Sequence, residues 1–245
     1  FRQDLSVNAL PEELSAAADK TVNFLQTQSV RVSIRNVEIG QGKIHVDVNV
    51  ENLSGHKLPT AYPSRRAWLH VVIRDRVGNA VFESGALNAD GSIQGNDNDA
   101  DPTRFEPHYR EITRRDQVEI YEPILKDQEG RVTTGLLTAV GYLKDNRLLP
   151  SGFDKDSAEK DIQVVGDAAE DPNFTGRGSL VRYSVPVDPS AAPFHIEAEL
   201  WYEPIGFRWA RNLAPYREME PQRMVSYFNS LASKAAVMLA RTDQF

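Results

Sequence analysis

The spacing of apolar positions changes period along the chain, and each change marks an element. Leu14, Ala17, Ala18, Val22 and Leu25 recur at helical spacing to about Gln28. Pro11 suits the first turn of that helix, and Glu12 and Glu13 put negative charge at the positive end of its dipole. From Val30 the period falls to two. Val30, Val32 and Ile34, then Ile44, Val46, Val48 and Val50, predict a hairpin closed by Gly40-Gln41-Gly42. A second hairpin is expected from residues 68–73 through Gly78-Asn79 to Val81. A third joins 118–124 to 132–140 across 127–130, and a fourth joins 180–187 to 194–202 across 189–193. Glu220-Pro221 announces a closing helix whose apolar stripe is Met224, Phe228, Leu231, Ala235 and Met238.

Eight strands in antiparallel pairs, without alternating helices, predict a mainly β fold. It is expected to be an antiparallel β-sandwich with flanking N- and C-terminal α-helices, one domain over 1–245. Its parts are a helical segment 1–28, the sandwich 29–203 and a helical segment 204–245. Both terminal helices should pack on the sandwich or on each other, because their stripes need cover. Residues 87–116 and 144–178 lack periodicity, and loops this long in a compact domain are commonly functional.

Composition then narrows the partners. A net charge of −7 argues against nucleic acid or an anionic membrane as the main partner, and no apolar run is long enough to span a bilayer. Cysteine is absent, which excludes a disulfide, a cysteine-ligated metal or a covalently attached haem on these residues. It does not fix the compartment. There is no nucleophile elbow, phosphate-cradling glycine loop or H-E-x-x-H pair, so no catalytic residue is named.

Four groups of side chains carry candidate chemistry. Gly55 and two prolines fix a strand connection with His56 at its tip, near Lys57, Arg65 and Arg66. His56 there is either a metal or haem ligand, a proton carrier, or a loop histidine bonded to backbone. The stretch 88–101 alternates Asp and Asn with glycine, the oxygen-rich composition that calcium requires, and Asp90, Asp97, Asp99 and Glu106 are its candidate ligands. The competing reading is a solvated loop of Asx turns. In Glu106-Pro107-His108 the proline extends the chain and orients the imidazole of His108. His45 and His70 read as ordinary strand residues, and His195 points away from the core.

The runs SGHKLPTAYPSRRAWLHV, GSIQGNDNDADPTRFEPHYREI and QVEIYEPILKDQEGRVTTGLLTAVGYLKDNRLLPSGFDK resemble the region that follows the haem-binding part of certain bacterial multihaem cytochromes c. The resemblance covers about Leu10 to Asp154, and GHKLPT with the arginine pair is its most specific part; Ala61 stands where glycine is expected. It implies a companion β domain, with haem only on an upstream segment of the same polypeptide, in an exported, periplasmic bacterial protein. The implied role is an accessory and docking domain supporting electron transfer, with His56, Lys57, Arg65, Arg66 and His108 facing the cofactor. An arginine of the pair could instead brace the sandwich against Glu106 or another acid. The alternatives are a small-molecule or carbohydrate module around Trp201, Tyr202, Trp209 and Tyr216, or a non-covalent haem domain using His56 or Met219.

Overall fold

The computed structural model describes residues 2–245. Its elements, in chain order, are α1 (Pro11–Gln28), β1 (Val30–Gly40), β2 (Lys43–Asn52), β3 (Arg66–Arg74), β4 (Ala80–Ser84), α2 (Asp97–Ala100), β5 (Glu111–Ile112), β6 (Ile120–Tyr121), β7 (Pro123–Lys126), β8 (Val132–Thr133) and β9 (Gly141–Asp145). They continue with β10 (Phe174–Thr175), β11 (Gly178–Pro186), β12 (His195–Glu203), α3 (Phe207–Arg211), α4 (Met219–Leu231) and β13 (Val237–Gln244). The fold is mainly β, with antiparallel sheets and a few helices near the two ends of the chain.

One sheet runs β1-β2-β11-β10, with β5 on β11; the other runs β13-β12-β3-β4, with β6 on β3. A three-stranded ribbon, β8-β7-β9, stands beside them. The inward residues of β2 (Ile44, Val46, Val48, Val50) and β11 (Val181, Tyr183, Val185) share one core with Leu69, Val71 and Ile73 of β3 and Ile196, Ala198 and Leu200 of β12. This is the interdigitated interior of two packed sheets.

The first two hairpins form as expected. Gln41 and Gly42 both adopt positive φ, the two-residue turn that matches strand twist. The fourth does not form. β11 pairs β2 in one sheet while β12 pairs β3 in the other, so the two strands face each other across the core. The proline-bearing connection from Val187 to Phe194 carries a short 3-10 turn and is too long for a tight hairpin. The third is reduced to a short pairing of β7 with β8; β7 also pairs β9 along its whole length, and β6 joins β3.

The C-terminal helix ends at Leu231, so Ala235 and Met238 lie outside it. Leu239 turns inward from β13, whose pairing covers the free edge of β12. α4 packs through Phe228, which joins Phe207, Ala210 and Ala232 in a small separate cluster. α1 departs further from expectation, since none of its described residues is buried. Only its last turns touch the sandwich: Leu25 rests on the core and Gln26 donates to the Met238 carbonyl.

Candidate functional site

Where α1 meets the sandwich it overhangs the connection between β2 and β3, and a cavity of about 510 Å³ opens beneath it. Phe24 and Leu25 form one wall, Leu53, Leu58, Pro59 and Thr60 another, and Tyr202 and Leu239 the end. Phe24 is 55% exposed and Leu14, higher on the helix, 43%, so the apolar stripe continues uncovered out of the cleft.

The loop owes its shape to Asn52. Its amide donates to the carbonyls of His56 (2.7 Å) and Leu148 (3.0 Å), while its oxygen accepts from the Ser54 N–H. Reciprocal backbone bonds between Leu58 and Leu148 pin the loop further. Ala61 then takes φ 60°, the left-handed conformation that glycine adopts without strain. His56 and Arg65 line the cleft; His56 Nδ1 lies 3.0 Å from the Lys57 carbonyl, and Arg65 donates to the Thr60 carbonyl. Neither meets a carboxylate among the described residues.

The other basic candidates are taken inward. Lys57 donates to Asp145 at 2.9 Å, and burial pulls its pKa down despite that carboxylate. Arg66 is buried, with Nη1 forked onto Asp99 (2.8 and 3.0 Å), Nε on Glu203 (2.9 Å) and Nη2 on the Gly91 carbonyl. It braces the domain, and its acids are Asp99 and Glu203, not Glu106. It therefore cannot face a partner. Burial pushes the Glu203 carboxyl up to about 7, further than Arg66 pulls it down.

Arg66 also lies in the field of Glu122, whose N–H donates to Asn146. Asn146 in turn donates to Glu119 beside His108, so these groups form one interior polar seam. His108 Nδ1 is 2.6 Å from Glu119 and Nε2 3.0 Å from Asp171. Burial disfavours the imidazolium, but the charges and hydrogen bonds of Glu119 and Asp171 overcome this and raise its pKa to about 9. Asn146 and the Tyr109 N–H also donate to Glu119. Lys144 donates to the Ile120 carbonyl and sits 3.4 Å from Glu122. His108 is thus an interior charge, held away from any cofactor at the surface. His70, an ordinary strand residue by its sequence, repeats the arrangement half-exposed, between Glu83 (3.0 Å) and Glu199 (3.2 Å).

Asp90, Asp97, Asp99 and Asp116 line one cavity of about 460 Å³. The first three are already engaged: Asp90 with Ser92, Asp97 with Arg104, and Asp99 with Arg66. Glu106 points elsewhere, accepting from the Asp97 N–H and the Tyr109 hydroxyl. Among the described residues no three acidic or histidine side chains are spaced to hold a metal ion. The four aromatic candidates scatter. Trp201 stacks on Trp68, Tyr202 lines the α1 cleft, Trp209 meets Tyr62 edge-on in a separate cavity, and Tyr216 is exposed. Met219 is exposed and lines no cavity with His56.

The acids of the seam escape sequence reasoning. Glu119 sits between apolar neighbours, in Val118-Glu119-Ile120, and that interruption is its only signal, while Asp171 carries none. No helix among the described residues is long and apolar enough to cross a membrane.

No protein-family model matches the chain, and none of the curated proteins does. Among solved structures it is similar to the crystal structure of a penta-heme cytochrome c552 from Thermochromatium tepidum, at 16% identity and a TM-score of 0.51. The likeness covers 91% of this chain but only 40% of that one. It is a likeness of fold, and this chain spans about 40% of that protein's length.

Proposed function

We propose that this chain is the accessory and docking domain of an exported, periplasmic multihaem cytochrome c, packing against the haem-bearing module of the same polypeptide and supporting its electron transfer. The observation that carries this reading is the α1 cleft. An amphipathic helix leaves its stripe uncovered, and the cavity at its base offers Arg65 and His56 with no acid among the described residues to satisfy them. Haem propionates are carboxylates, and an arginine fork matches a carboxylate in bidentate fashion. The fold likeness to a penta-heme cytochrome, over 40% of that protein's length, supports a partner of this kind.

The test is made on the whole polypeptide. The reading frame encoding this chain is expected to carry C-x-x-C-H motifs outside residues 1–245, and Arg65→Ala is expected to shift the midpoint potential of at least one haem. A frame without such motifs, or potentials unchanged by Arg65→Ala, would overturn the proposal.

A further inference from the structure

The cavity in which Trp209 meets Tyr62 measures about 580 Å³ and opens between the turn after β8 and the helices α3 and α4. Its walls are mostly apolar, with Leu136 and Leu137 on one side and Trp209, Leu213 and Met224 among the residues facing them. Leu137 is fully exposed, and Leu136 and Val140 are largely so. From Val132 to Leu143 the chain carries no charged residue, although a quarter of the whole sequence is charged. An apolar surface of this kind marks an interaction site.

The turn is stiff. The Gly135 carbonyl accepts from the Thr138 N–H (3.1 Å), the Ala139 N–H (3.0 Å) and the Thr138 hydroxyl (3.0 Å). Asn212, at the end of α3, donates to the Thr134 hydroxyl at 2.9 Å and ties the turn to the helices. The leucines are thus held out in water in a fixed position, and little ordering remains to be done on contact.

Two features say what covers them. The protruding Leu137 and the apolar cavity lie side by side on one surface, so a two-fold axis lets each copy fill the other and the contact closes on itself. The helical side of the cavity also carries both signs of charge. Arg217, Glu218 and Glu220 are exposed and Arg223 half-buried, all within a few residues of Met224. An anionic surface, or any partner of one sign, meets repulsion from half of these groups, whereas a second copy offers acid to base and base to acid.

We propose that this surface joins two copies of the chain in a two-fold dimer, with Leu137 of each copy seated in the other's cavity. Its lining residues are distinct from those of the α1 cleft, and the inference does not depend on the docking proposal.

The experiment is sedimentation velocity on the full chain across the micromolar range. The wild type is expected to sediment at twice the mass of the chain, and Leu137→Asp as a monomer with an unchanged melting point, since Leu137 makes its way into no core of its own. The chain has no cysteine, so introduced thiols report without background. Leu137→Cys mixed with Met224→Cys is expected to form several-fold more disulfide-linked dimer under mild oxidation than Met224→Cys alone. A wild type that is monomeric throughout, a dimer that survives Leu137→Asp, or a mixture that links no better than Met224→Cys alone would overturn the proposal. A monomer that sediments with phosphatidylglycerol vesicles, and no longer does so in Leu137→Asp, would overturn it in favour of a lipid surface.

Discussion

The interior seam and the α1 cleft draw on the same residue types and treat them in opposite ways. In the seam Arg66 has two carboxylates and a carbonyl, and His108 has a carboxylate on each ring nitrogen. In the cleft Arg65 and His56 have backbone carbonyls and, among the described residues, no acid. Arg65 and Arg66 are adjacent, but Arg65 closes the turn from Tyr62 while Arg66 opens β3 with its side chain buried. The seam fixes the shape of the domain, and under the docking proposal the cleft keeps its charge for the haem module. A buried ion must bring its partners with it, whereas an exposed one can wait for a partner.

The contrast is sharpest in mutation. Arg66→Ala leaves Asp99 and Glu203 buried without their cation and is expected to cost about 3–5 kcal/mol in urea denaturation. Arg65→Ala in the same assay is expected to stay within about 0.5 kcal/mol. Equal losses at the two positions would erase the distinction between seam and cleft.

Proton linkage gives the next largest effect. Glu203, at about 7 against an ordinary 4.5, contributes fully to stability only below 4.5 and loses that contribution as the pH rises through 7. His108, at about 9 against 6.5, contributes fully below 6.5 and loses it as the pH rises through 9. Each step is on the order of 3 kcal/mol. Denaturation across the range from about pH 4 to about pH 10 is expected to lose the lower step in Glu203→Gln and the upper step in His108→Gln. A His108→Gln profile parallel to the wild type would show that the imidazole is not held charged.

The smallest effect belongs to the cleft's own loop. Ala61→Gly relieves a left-handed alanine and is expected to raise stability by up to about 1 kcal/mol, less whatever freedom glycine adds to the unfolded chain. A lower melting point would mean that the loop gains more from the alanine methyl than it loses in backbone strain.

Much of this architecture is legible in the sequence because it follows period. The alternation of Ile44, Val46, Val48 and Val50 in β2, all four fully buried, can only be a strand with one core face. Strand pairing is less legible, because alternation says which face is buried and not which neighbour lies alongside. β11 and β12 read as one hairpin by sequence, yet they belong to different sheets. The site divides along similar lines. Proline and glycine reveal the His56 loop, because they constrain the backbone locally. No such local rule reaches Asp171, which meets His108 across 63 residues of chain and only through tertiary folding. The same holds for Glu203 and Arg66.

That pairing scheme has a consequence for how the protein is made. Asn49 lies against Leu180 and Trp68 against Trp201, so both sheets join early chain to late chain. A ribosome emits β2 and β3 long before their neighbours exist, leaving two long apolar strands with open edges. Non-local pairing of this kind folds slowly, since the loop must close before any contact rewards it. Chains interrupted before β11 should therefore be a burden to chaperones, and truncation from the C-terminus a route to insoluble protein.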